Sequence, residues 1–476
     1  MSDEKSNPKS MPSDIESSIG AYAEEFSLEN VPSPIKERAR LVLLDTIGVS
    51  IRGSTTDYVK RAIESGVEMD FWDRSGRSTA FSTRDWRSPL VAAFANASGA
   101  TTLELDEGNQ QSAHIGVHVV PPALAVAEAT NASGTDLLRA IIVSYEVSAR
   151  LGDLNRPLTG NLHPHGAWAP VGAAVAAGSL YGFDSDRYVE AIRLSTNPFV
   201  ATHWAAATEG ATVRNFYSGT SCLHGLIAAM LASSGVTGMA ESISRSLLSH
   251  TARDEVPAAS IEERFSTLGD EYYLKSSYFK IHAACRYTHP PIEAIERIDR
   301  LESANLDEID RISITTFEDA TMLDGKRPHN TLSAKFSIPY AVAARIVLDT
   351  SDFNAYHGKH LENNQIRQLA RRVDIAQGER FEQAKREHSD WGAAVEVRFA
   401  DGTTADATVT NARGGGENPF SRDTVIAKFE RLVGSVESDE TAASLRARLL
   451  SIQQTNDVRE LLTDLRGADP HVPSES

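Results

Sequence analysis

The period of the apolar residues changes twice along this chain, and that double change constrains its fold more than any other feature. From residue 14 to about 272 the spacing is mainly helical, with apolar residues three and four apart over 35–51, 88–101, 122–130 and 135–151. Ser133 or Thr135 is positioned to cap the last of these. Two further helical stretches, 166–182 and 218–235, are dense in Ala and Gly, a composition that lets helices approach closely. After about 275 the period drops to two. Residues 311–317 alternate, and so do 393–399 and 403–410 around Asp401-Gly402, a hairpin turn signal. Helical segments at 292–302 and 333–348 lie among them. Arg413-Gly414-Gly415-Gly416 reads as a flexible joint, after which 423–433 and 441–462 are helical again. The expected fold is mostly α with an α+β part. Residues 14–274 and 413–476, both chain ends, build a large all-α domain, and 275–412 form a smaller inserted α+β domain. Residues 1–13 read as a disordered tail.

Composition narrows the function classes. In 476 residues, 41% are hydrophobic, which suffices for a sizeable core. The formal charge of −18 argues against a phosphate-neutralising surface, so no nucleic-acid partner is expected. No uncharged run of 18 apolar residues suggests a membrane span, and the polar start has no apolar h-region. Two cysteines, Cys222 and Cys285, make neither a disulfide framework nor a Cys-rich zinc site. These features lead to the expectation of a cytoplasmic protein.

Four segments could carry chemistry. Glu104-Leu105-Asp106-Glu107-Gly108-Asn109, followed by His114 and His118, puts carboxylates and histidines in one connection between helices. Such residues serve as acid/base groups or metal ligands, although a solvated polar loop looks the same. His114 and His118 would share a helix face, but Gly116 and the pair Pro121-Pro122 argue against a helix there, and no HExxH pattern supports zinc. His163-Pro164-His165-Gly166 precedes an Ala-rich helix whose first turn should hold Gly166 and Ala167. The positive end of a helix dipole there would keep imidazole neutral and favour an anion. Arg214 could clamp a carboxylate, or simply be a surface residue. Residues 280–289 are densest, with Lys280, His282, Cys285, Arg286 and His289 at the domain boundary, where clefts form. In an acidic protein this cluster suggests a small polycarboxylate, unless it is only a solvated basic face.

Together these segments resemble the MmgE/PrpD family, which includes 2-methylcitrate dehydratase, cis-aconitate decarboxylase and iminodisuccinate epimerase. Leu44-Asp45-Thr46-Ile47-Gly48 resembles an early helix signature, and Glu104-Leu105-Asp106-Glu107 an E-L-D-D loop. Residues 114–121 resemble H-P-G-x-x-V-x-P, and His163-Pro164-His165-Gly166 resembles H-x-x-G. Lys280 to His289 resembles K-x-x-x-x-C-x-x-x-H, and Ala334-Lys335-Phe336-Ser337 with Tyr340 resembles A-x-F-S-x-x-Y. The resemblance implies an all-α domain made from both chain ends, a smaller α+β lid, a cofactor-free and metal-free homodimer, and a site between the domains. It matches functional positions to Asp106, His114, His163, Arg214, Lys280, Cys285 and His289. Arg214 stands where decarboxylases usually carry lysine, Ile115 where proline is common, Glu107 where a second aspartate is usual, and 320–330 lacks the tyrosine that marks the decarboxylase.

The activity implied is a lyase on a small di- or tricarboxylate, first of all dehydration of a 2-methylcitrate-like hydroxy acid. Decarboxylation and epimerisation remain open, because all three can pass through a carbanion or enolate beside a carboxylate. His163 is expected as base or proton shuttle, His114 as the second proton-transfer group, and Asp106 as the orienting carboxylate. Arg214, Lys280 and Arg286, with Cys285 and His289, would bind substrate. A catalytically idle binding member of the fold and a metal hydrolase using His114, His118, His163 and His165 are the rival readings.

Overall fold

The computed structural model describes residues 15–465 apart from 74, 198–201, 303–304 and 417, so the tail expected at 1–13 lies outside the described residues. The principal helices of the helical part are α1 (Ser33–Gly53), α2 (Pro89–Thr102), α3 (Gly116–Thr130), α4 (Gly134–Leu154), α5 (Ala169–Tyr181) and α6 (Tyr217–Ser233). Near the other end of the chain come α7 (Ile338–Leu348), α8 (Arg422–Gly434) and α9 (Asp439–Leu450). Ser133 closes a capping box on α4. Its Oγ accepts from the Asp136 N–H at 3.1 Å, and the Asp136 carboxylate accepts from the Ser133 N–H. Such a cap contributes about 1 kcal/mol.

The Ala/Gly-rich segments do what their composition implies. A Cβ on Gly225 of α6 would lie 2.3 Å from the Pro170 carbonyl of α5, so these helices meet backbone to backbone. The start of α5 differs from expectation. It begins at Ala169 beside Pro170, and Gly166 and Ala167 belong to the preceding turn. The His163 N–H donates to the Thr202 carbonyl and the Thr202 hydroxyl donates to the His163 carbonyl, so this turn is tied to residue 202. The helix at 116–130 is a second correction. It forms despite Pro121 and Pro122, so His118 lies in its first turn. Those prolines deprive the Val117 and His118 carbonyls of their helical donors. The buried Cys222 thiol approaches these two oxygens, at 3.7 and 3.8 Å, and supplies a weak replacement.

The α+β part holds a four-stranded sheet of β1 (Ile309–Thr316), β2 (Val373–Gln377), β3 (Ala393–Phe399) and β4 (Thr404–Val409), in the order β2-β1-β3-β4. β1 pairs antiparallel with β3, β3 antiparallel with β4 across a turn whose Gly402 has φ 85°, and β1 parallel with β2. On β3 the alternation is direct: Ala393, Val395, Val397 and Phe399 are buried while Glu396 and Arg398 are exposed. β2 went unread because it is a short edge strand with only Val373 buried, too little for a period to show. The helix expected at 333–348 is broken. Thr331–Lys335 ends, and Ser337 caps α7 by accepting from the Tyr340 N–H.

Two cores result. One draws on residues between 19 and 279 and on 425–465; the other centres on the sheet but takes in Leu103, Leu105 and Val117. The acidic loop therefore has its roots where the two cores meet. The Gly414–Gly416 run is no loose joint. The Phe279 N–H donates to the Gly414 carbonyl, and a Cβ on Gly414, at φ 112°, would sit 2.2 Å from the Phe279 carbonyl. Among the described residues no helix is long and apolar enough to cross a membrane.

Candidate active site

Asp106 and His114 form the centre of the site. His114 Nδ1 lies 2.6 Å from Asp106 Oδ2, with Asp106 fully buried and the His114 side chain 12% exposed. An ionised carboxylate only accepts, so His114 Nδ1 is the donor in this contact, and the neutral tautomer consistent with it presents a lone pair on Nε2. Burial pushes the Asp106 carboxyl up, but His114, Lys280 and Arg214 outweigh it and hold the group well below the usual carboxylate range.

Glu104, quoted in the acidic segment but given no role of its own there, organises the cations. It is buried, with a left-handed φ of 53° that is strained for a residue with a side chain. Its Oε1 lies 3.0 Å from Lys280 Nζ and its Oε2 2.6 Å from Arg214 Nη2, the latter an ion pair off the line of a hydrogen bond. Lys280 also donates to the Glu104 carbonyl at 3.2 Å and stands 3.8 Å from Asp106 Oδ1. Two buried cations thus face two buried carboxylates, the pairing that burial of charge requires. Arg214 Nη1 reaches the Thr101 carbonyl at 3.3 Å, while its Nε is buried with no hydrogen-bond partner among the described residues.

Against this cluster lie three more imidazoles. The His165 ring sits between those of His114 and His163, at centroid distances of 4.7 and 4.6 Å, and its Nδ1 is 2.7 Å from His118 Nε2. His163 stacks on Trp204 at 5.1 Å. Burial first, then the surrounding positive charge, drives His163 and His165 well below the ordinary imidazole range, and burial takes His118 down to about 3. Burial replaces the helix dipole as the cause of neutrality at His163. Its Nδ1 accepts from the His165 N–H at 3.3 Å, which puts its proton on Nε2, a buried donor with no hydrogen-bond partner among the described residues. Among the described residues, no group of three or more His, Cys, Asp or Glu side chains is disposed to hold a metal ion.

Lys335 is a second residue given no role of its own, although the motif containing it was read. It is fully buried, donates to the Thr102 carbonyl at 2.9 Å, and is lowered to about 7 by burial, with Glu104 opposing. The 280–289 segment divides. Lys280 enters the site. Cys285 is buried, its thiol pushed up to about 12 by burial and then by Glu104, so it is neutral. Arg286 commits its guanidinium to the Ala412 and Arg413 carbonyls, at 2.7 and 2.8 Å, and lies over the Tyr278 ring. His289 contacts Arg286 and the Ala284 carbonyl. These last two residues are engaged with backbone carbonyls and are not in the Glu104 cluster.

The chain matches the family models for the MmgE/PrpD N-terminal domain over residues 17–246 and the MmgE/PrpD C-terminal domain over 282–452. It is similar to a cis-aconitate decarboxylase of Aspergillus terreus, at 24% identity over 94% of this chain and 95% of the relative. A cis-aconitate decarboxylase-like protein, oryM, of Aspergillus oryzae is 25% identical over 94% and 96%. The cis-aconitate decarboxylase of Homo sapiens is 23% identical over 91% of each chain.

Proposed function

The chain belongs to the MmgE/PrpD family, and from that premise we propose that it is a lyase acting on a small di- or tricarboxylate, with dehydration of a 2-methylcitrate-like hydroxy acid as its reaction. The observation that carries this reading is the Asp106–His114 pair beside buried donors on His163 and Arg214 that have no hydrogen-bond partner among the described residues. His114 Nε2 removes the proton beside a carboxylate, and Asp106 stabilises the imidazolium that forms. The His163 Nε2–H and the Arg214 Nε–H stabilise charge building on the substrate. The proton taken by His114 completes the departing hydroxyl as water, so one histidine can serve both halves of the elimination. The hydrogen bonds thus support His114 as the base and His163 as the donor, the reverse of the roles expected from sequence. Lys280 acts by holding Glu104 and Asp106 as much as by meeting substrate.

Decarboxylation is the second reading, favoured by relatives named as cis-aconitate decarboxylases; the same donors suit the carbanion left by loss of carbon dioxide. We also propose a cytoplasmic homodimer. Val213, Ile227 and Met230 are 56%, 37% and 53% exposed at and along α6, a surface that association would cover. Light scattering of the purified protein checks the dimer. Incubation with 2-methylcitrate, citrate-like hydroxy acids and cis-aconitate, reading unsaturated product and released carbon dioxide separately, checks the reaction. Product without gas supports dehydration, gas from cis-aconitate alone supports decarboxylation, and no turnover of any acid returns the protein to the idle binding reading.

A further inference from the structure

We propose that Asp45 and Lys428, which belong to the two ends of the chain, are positioning residues that hold the acidic loop in its working conformation. This inference rests on the site reading above. Asp45 lies on α1, within the Leu44–Gly48 signature that the proposed mechanism leaves unused, and Lys428 lies on α8. Lys428 Nζ is 2.6 Å from Asp45 Oδ1 and donates to the Leu105 carbonyl at 2.5 Å. Leu105 separates Glu104 from Asp106, so the tether grips the backbone between the carboxylate that organises the cations and the one that orients His114.

The pair itself is buried, Asp45 at 1% and Lys428 at 5% exposure. Burial drives each group toward its neutral form, and each opposes that in the other; at Asp45 the Glu107 N–H helps. The grip on the loop therefore falls on both sides of Asp106. A tether is needed here because Glu104 sits at φ 53°, a conformation that persists only where its surroundings over-determine it. Relaxation of Glu104 would swing Asp106 out of its 2.6 Å contact with His114.

Breaking the pair by one substitution leaves a buried unpaired charge, and a loss of folding would hide the effect. The test therefore uses the double variant Asp45→Leu with Lys428→Met, an apolar pair of similar volume. Its melting temperature, kcat, KM and the downfield Nδ1–H resonance of His114 are compared with wild type, with the resonance assigned by its loss in His114→Asn. The expected result is a folded protein with kcat lowered about 100-fold, KM changed little, and the resonance weakened or gone, since misplacement by about 1 Å costs on that order. Wild-type kcat and an intact resonance in the folded double variant would overturn the proposal. Should the double variant not fold, Lys428→Arg, which keeps the ion pair but displaces the donor from Leu105, takes its place under the same two outcomes. A wild type that turns over no acid would sink the lyase reading alone, because the resonance still reports the tether without turnover.

Discussion

The ring-and-carboxylate cluster built from 104–118, 163–165 and 214 differs from the basic segment 280–289 in what its polar groups are paired with. In the second segment, Arg286 is committed to the Ala412 and Arg413 carbonyls, His289 contacts the Ala284 carbonyl, and His282 contacts the Ser351 hydroxyl. In the first, Glu104 and Asp106 face Arg214 and Lys280, and Asp106 orients His114; unsatisfied buried nitrogens occur in both, at His163 Nε2, His165 Nε2 and Arg214 Nε in the first and at His282 Nε2 and Arg286 Nε in the second, among the described residues. In the sequence the 280–289 run reads as the densest single segment, with Lys280, His282, Arg286 and His289 close together. The convergence of an oriented Asp106–His114 pair with paired buried cations is the better mark of a place where a ligand belongs.

The comparison breaks most sharply at Asp106. Asp106→Asn should reverse the hydrogen bond to His114 and fix the wrong tautomer, lowering kcat by about 10³–10⁴-fold, as loss of an orienting aspartate does elsewhere. Activity assays beside thermal melts check it, and a near-normal kcat would remove the dyad from the mechanism. Next in size is His163. His163→Ala should lower kcat by about 10²–10⁴-fold. His163→Gln, which keeps an N–H donor, should recover part of that loss, whereas a basic role for His163 would show no recovery.

Arg286 tests the other side. Arg286→Ala should lower stability by about 1.5–3 kcal/mol through the lost charge-assisted bonds to two carbonyls, while KM stays within a few-fold of wild type. Chemical denaturation and steady-state kinetics measure the two effects. A large rise in KM would return this arginine to substrate binding.

The smallest expected effect is a pH slope. His118 is lowered to about 3 in the folded protein against an ordinary value of 6.5. The unfolded chain therefore binds more protons between those values. The stability linked to keeping His118 neutral is complete above about pH 6.5 and is lost as pH falls toward 3. One such group contributes a slope of about 1.4 kcal/mol per pH unit inside that window. Urea denaturation at several pH values, for wild type and His118→Asn, should differ by about one proton in slope.

Much of the architecture was legible because periodicity reports which face of an element is buried. The helices α1, α2, α4, α8 and the strands β1, β3 and β4 fall where the spacing of apolar residues put them. The second core centres on the strands that follow residue 275, though it also takes in Val49, Leu103, Leu105 and Leu432. What the periodicity did not carry was anything decided by a distant partner. Pro121 and Pro122 argued against a helix that the Cys222 thiol, a hundred residues away, helps to complete. A glycine run that reads as a loose joint is pinned by Phe279 and Arg286.

For the site, the residue types came from the sequence and their roles from the fold. Asp106, His114, His163, Arg214 and Lys280 were all visible as candidates in motifs of recognisable order. Which histidine carries a proton on which nitrogen depends on Asp106 Oδ2 in one case and on the His165 N–H in the other, contacts that no spacing reveals. Glu104 and Lys335 were hidden for a related reason. Each is an ordinary charged residue in its own segment, and only the tertiary structure buries Glu104 between Arg214 and Lys280 and sets Lys335 on the Thr102 carbonyl. A linear sequence states which groups can accept or give a proton; the low dielectric and fixed neighbours of the folded interior decide which of them will.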